Sequence, residues 1–146
     1  MDPGAGRRRG QRAGKFRARL AEELIAWAGH QFRQSRRLAD GATEGDHGEA
    51  RRRVAAKLGR AKAAPAKPAG PAFPATLRYV WEWFVEIMAG VAPGYGPAQP
   101  TWADLRAWAD LTGETLHPWE ARLIVRLGMV RASTLAEVAE AERNKP

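Results

Sequence analysis

The chain has 146 residues, 45% hydrophobic and 27% charged, enough for one modest core. It has no cysteine and only three histidines, His30, His47 and His117, which excludes a disulfide framework, thiolate chemistry and most metal sites. The net charge of +8 is uneven: residues 1–75 carry +10 and residues 76–146 carry −2, so any anionic partner belongs to the first half. No apolar run approaches the roughly 20 residues that span a bilayer, and no uninterrupted apolar segment follows the basic N-terminus. A soluble cytoplasmic protein without membrane contact is the expectation.

Residues 1–15 combine Gly, Pro and Arg without a large apolar side chain, and are expected to form a flexible basic tail. Residues 16–39 predict an amphipathic helix. Phe16, Leu20, Leu24, Trp27 and Leu38 fall in one arc at 100° per residue, with Ile25 and Phe32 at its edge. Residues 40–48, with three glycines and three acids, predict a loop. Residues 49–63 predict a short basic helix with only Val54 and Leu58 as an apolar seam. Together, residues 16–63 make a basic helical region.

Residues 64–75 hold four prolines and predict a stiff, extended linker where the charge changes sign. Beyond it, residues 76–146 are expected to form a separate Trp-rich helical module. Its first helix, residues 76–89, is expected to be capped by Thr76. Leu77, Val80, Trp81, Phe84, Val85, Ile87 and Met88 form its apolar stripe. Trp83 falls beyond the stripe's edge, as an indole offered to a partner does.

Residues 90–100, rich in Gly and Pro, interrupt the helix. Thr101 and Asp104 then read as a capping box, and Gly113 as the following helix's C-cap. That helix's apolar face is Trp102, Leu105, Trp108 and Ala109. Pro118 suits the first position of a last helix, with Trp119, Leu123, Leu127 and Val130 on one face. Gly128 is a candidate bend, and residues 134–143 either extend this helix or begin another. No segment alternates at the strand period, so the expected fold is all-α: a small Trp-rich helical bundle with a basic, partly flexible N-terminal helical arm.

Candidate chemistry is sparse. Glu82 and Glu86 lie one turn apart, but on the polar side of their helix, where a solvated face explains them. No two histidines have the spacing of a metal pair. Ser35 and Ser133 lack a glycine elbow, and the glycines near 90–96 lack a Gly-Lys-Ser/Thr motif. We expect no catalytic or metal site, no cofactor and no enzyme activity. The Arg7–Arg9 run and the cluster Arg51, Arg52, Arg53, Lys57, Arg60 and Lys62 leave nucleic-acid binding as an alternative function, although few aromatics interleave them.

The aromatic pattern is more specific. An aromatic helix (Trp81, Trp83, Phe84) precedes a block with Trp102, Leu105, Ala107, Trp108, Leu111, Thr112, Gly113, Leu116, Pro118, Trp119 and Glu120, and then Ile124 and Leu127. In order and spacing this resembles tail assembly chaperones of tailed bacteriophages, clearly over residues 73–128 and loosely over 38–131. The family usually carries Asp where this chain has Gly128. The resemblance implies a non-catalytic assembly factor that binds the tape measure protein, and other tail assembly proteins, in the host cytoplasm and is absent from the finished virion. On that basis Trp83, Phe84, Tyr95 and Trp102 are the expected partner contacts, with Trp81, Trp108 and Trp119 in the core.

Overall fold

The computed structural model describes residues 4–35, 50, 53, 54, 70–92 and 94–144. Among them there are four α-helices and no strand: α1 (Gly4–Gln34), α2 (Arg78–Gly90), α3 (Trp102–Thr112) and α4 (Pro118–Arg143). The all-α expectation holds. The loop at 40–48, Leu38, nearly all of the basic helix at 49–63 and residues 64–69 of the linker lie outside the described residues.

The long helix α4, 26 residues, is the spine of the bundle. It packs against each of the other three helices, most extensively against α1. The buried cluster draws Leu24 and Ala28 from α1, Val80, Phe84 and Ile87 from α2, Leu105 from α3, and Leu123, Ile124 and Leu127 from α4. Each Leu or Ile so buried contributes roughly 1.5–3 kcal/mol. Because α1 supplies part of this one core, it is not an arm beside a separate module. The Pro-rich segment does not divide the packing. Its described end folds onto α1: Phe73 meets Trp27 edge-to-face at 4.7 Å, and Gly70 lies beneath the His30 ring. Gly70 has φ +134°, a conformation that glycine alone adopts readily.

The first helix begins earlier than the sequence suggests. The expected tail at 1–15 is helical from Gly4 onward. Arg, Gln and Ala are good helix formers, and elongation from a docked helix adds one hydrogen bond per residue fixed. The apolar stripe of α1 nonetheless goes uncovered at its start. Arg17 stacks over Trp119 at 5.7 Å, Glu22 pairs with Arg126, and Gly29 approaches Val130, so α1 and α4 run in the same direction. Phe16 therefore lies where α4 is only beginning, and it stays 59% exposed.

Thr76 does not cap α2. A 3-10 turn, Ala75–Leu77, occupies that position, and Leu77 is the residue that precedes the helix. Two other boundaries follow local chemistry. Thr101 and Asp104 form the capping box, with Asp104 N–H on Thr101 Oγ1 at 3.2 Å and Thr101 N–H on Asp104 Oδ2 at 2.7 Å. Gly113, at φ +76°, ends α3. Pro118 opens α4, and Glu120 reaches back to accept from the His117 amide at 2.8 Å.

Gly128 does not end α4, which continues unbroken to Arg143. A Cβ at this position would fall 2.9 Å from Pro100 Cγ, and closer still to Cδ. The glycine thus lets the extended segment before α3 lie directly on the helix. Arg131 Nη1 donates to Ala98 O at 3.3 Å one turn further on.

Candidate partner-binding surface

Most rings of the Trp-rich half serve packing. Trp27, Trp81 and Phe84 interlock on the α1 side of α2, with Trp27 and Trp81 edge-to-face at 4.9 Å and Trp81 and Phe84 at 5.3 Å. Trp81, Trp108 and Trp119 are partly buried against the core, as their assignment to packing requires.

Two of the four expected partner contacts are displaced by this packing. Phe84 is only 2% exposed, held between Trp81 and Phe32. It belongs to the apolar stripe of α2, and α1 closes over that stripe. Trp83 is half-buried, with Tyr79 edge-to-face at 4.9 Å and Trp108 at 5.5 Å. It falls outside a one-sided stripe because α2 is covered on two sides, by α1 and α4 on one and by α3 on the other. Tyr79 packs there too.

The other two are in water. Tyr95 is fully exposed in the segment before α3, and Trp102 is 59% exposed at the first position of that helix. A third bulky residue joins them: Leu111, 88% exposed near the end of α3. Sequence reasoning used Leu111 only as a family position. Yet it lies about half a turn round the axis from Trp102, outside the arc of Trp102, Leu105, Trp108 and Ala109, and that offset was visible in the helical register.

The core holds α3 by Leu105, which is buried, and by Trp108. Trp102 and Leu111 are therefore carried on its opposite flanks, each over its own depression. On one flank Trp102, Arg106 and Ala109 face Leu116 and Ala121 across a groove of about 340 Å³. On the other, Ala107, Trp108 and Leu111 face Glu86, Ile87 and Gly90 of α2 across a smaller cleft of about 220 Å³. Polar residues between them are already engaged. Arg106 donates to Asp110 at 3.0 Å, and the hydroxyl and amide of Thr101 hold the Asp104 carboxyl below its usual range.

Among the described residues no group of three or more His, Asp or Glu could hold a metal ion, and no helix is long and apolar enough to cross a membrane. His30 shares a 3.3 Å contact with Gln34, and Glu82 and Glu86 are exposed on α2. Tyr79, pushed up to about 12 by burial and by its bond to Glu120, is a structural phenol. Of the alternative nucleic-acid set, Arg53 alone is described, and it is exposed; Arg51, Arg52, Lys57 and Arg60 lie outside the described residues.

No curated protein and no solved structure matches the chain. A family model does, over residues 54–131, more than half of the chain. It covers the clear part of the resemblance, including all of α2 and α3 and the first half of α4. The family it describes is that of phage tail assembly chaperones, whose partners are phage tail proteins. The bundle, its exposed α3 and the family model agree: this chain belongs to the phage tail assembly chaperone family.

Proposed function

We propose that the protein holds the tape measure protein of its phage during tail assembly, using α3 and the segment before it. One observation carries this reading: Tyr95, Trp102 and Leu111 are large apolar side chains left in water on a single helix and its lead-in, within the matched region. Exposed side chains of this kind are concentrated where partners dock. A tape measure protein is a long, largely helical chain with an apolar stripe to shelter, and a helix laid on such a surface is a common mode of recognition. The contacts are shallow and distributed, which suits a hold that must later be released. The chaperone acts in the host cytoplasm and leaves before the virion is complete.

The test is co-expression of the full chain with the tape measure protein of the same phage. The tape measure protein should move from the pellet to the soluble fraction and co-purify with the chain. Trp102→Ala combined with Leu111→Ala should abolish this while leaving the helical circular dichroism intact. Solubility that is unaffected by the double substitution would refute the assignment of α3. Mass spectrometry of purified virions should find the tape measure protein and not this chain.

A further inference from the structure

The cleft between α2 and α3 has a charge of its own. Its walls are Glu86 and Gly90 on one side and Asp104, Ala107, Trp108 and Leu111 on the other, enclosing about 220 Å³. Both ionisable residues on the walls are acids. Asp104 is kept anionic by the Thr101 hydroxyl and amide, and Glu86 has no ion-pair partner among the described residues. The small residues Gly90 and Ala107 leave room for a backbone to approach, and Leu111 overhangs the rim with most of its surface in water.

We infer that this cleft receives a helical protein segment that presents an apolar anchor side chain with a Lys or Arg one turn away. The anchor packs against Leu111 and Ala107, and the cation is drawn to Glu86 and Asp104. Complementary charge selects among apolar helices that would otherwise fit alike. The inference rests on the reading of α3 as the holding surface and adds which stretches of the client it takes: apolar stripes bordered by basic residues. The protein as a whole carries +8, so its overall field favours an acidic segment. A preference for a basic one can come only from a local acidic site.

The test uses two synthetic amphipathic helical peptides with the same leucine stripe, one flanked by lysines and one by glutamates, titrated calorimetrically into the full chain. The lysine peptide should bind about tenfold more tightly than its glutamate twin. Ala107→Gln, which narrows the cleft without adding charge, should weaken the lysine peptide by about tenfold. Glu86→Lys should erase the preference. Both substitutions are at exposed helix positions, and unchanged circular dichroism and melting show that the fold survives. Equal or tighter binding of the glutamate peptide, no binding of either, or indifference to Ala107→Gln overturns the inference. If the unaltered chain still solubilises the tape measure protein, the cleft assignment fails alone. If the peptide preference holds while the tape measure protein stays insoluble, the cleft stands and that choice of client falls.

Discussion

The hydroxyl of Tyr79 donates to Glu120 Oε1 at 2.7 Å, while Oε2 of the same carboxylate accepts from the His117 amide at 2.8 Å. One side chain, only 4% exposed, thus caps α4 and fastens α2 to it. The local cap was legible from Pro118 and Glu120, but the partner 41 positions earlier was not.

Removing the phenol isolates the second link. Tyr79→Phe should lower the unfolding free energy by about 1–2 kcal/mol, because a buried carboxylate loses one of two donors. Glu120→Ala should cost more, since the cap goes as well, by about 2–3 kcal/mol in urea denaturation. The sign with pH follows from the direction of the shift. The folded phenol is raised to about 12, above its ordinary value of 10.0, so its contribution is complete below the ordinary value and is lost as pH rises towards 12. Tyr79→Phe should be insensitive to that window, and absorbance at phenolate wavelengths should lose its late-titrating component.

Two helical glycines should respond to alanine in opposite directions. At Gly29 a Cβ would meet Val130 Cγ1 at 3.5 Å, an ordinary contact, so Gly29→Ala should stabilise by about 0.5–1 kcal/mol through helix propensity. At Gly128 the obstacle is the Pro100 ring, which is fixed to the backbone and cannot swing away. Gly128→Ala should therefore destabilise by about 1–3 kcal/mol despite the better propensity, and Gly128→Asp by more. Thermal melts of the two single variants check this.

The ion pair between α1 and α4 is bidentate: Arg126 Nη2 reaches Glu22 Oε2 at 3.0 Å, and Nη1 reaches Oε1. It holds the Glu22 carboxyl below its ordinary range. Both partners are about half exposed, so solvent and salt screen it, and Glu22→Gln should cost less than about 1 kcal/mol. The contribution is present above the ordinary carboxylate range and fades as pH falls through the lowered value. Denaturation at high salt, or in acid, should make wild type and Glu22→Gln converge.

Neighbouring aromatics should separate cleanly by role. Phe84→Ala should cost about 3–5 kcal/mol, since it empties the core between Phe32 and Trp81. Tyr95→Ala and Trp102→Ala should each alter stability by no more than about 0.5 kcal/mol while weakening capture of the tape measure protein. Equal losses of stability at Phe84 and Trp102 would contradict the division between core and surface.

Legibility tracked the range of the interaction. Thr101 with Asp104, Gly113 and Pro118 announce themselves because capping chemistry involves residues three or four apart. Leu24, Val80, Leu105 and Leu127 are readable as core from periodicity. Trp83 misled because periodicity assumes one covered face, whereas α2 is covered on two. Leu111 sat in plain view, off its helix's apolar arc. The start of α1 at Gly4 was hidden because composition speaks of what a segment can bury and not of what it can prolong.

The shared core has a consequence for dissection. Leu24 and Ala28 complete the cluster that Val80, Ile124 and Leu127 begin. A fragment starting after the Pro-rich segment would bare a long oily strip along its spine and join the class of molecules it is meant to protect. Only the whole chain, first helix in place, has its own surface quiet enough to tend another's.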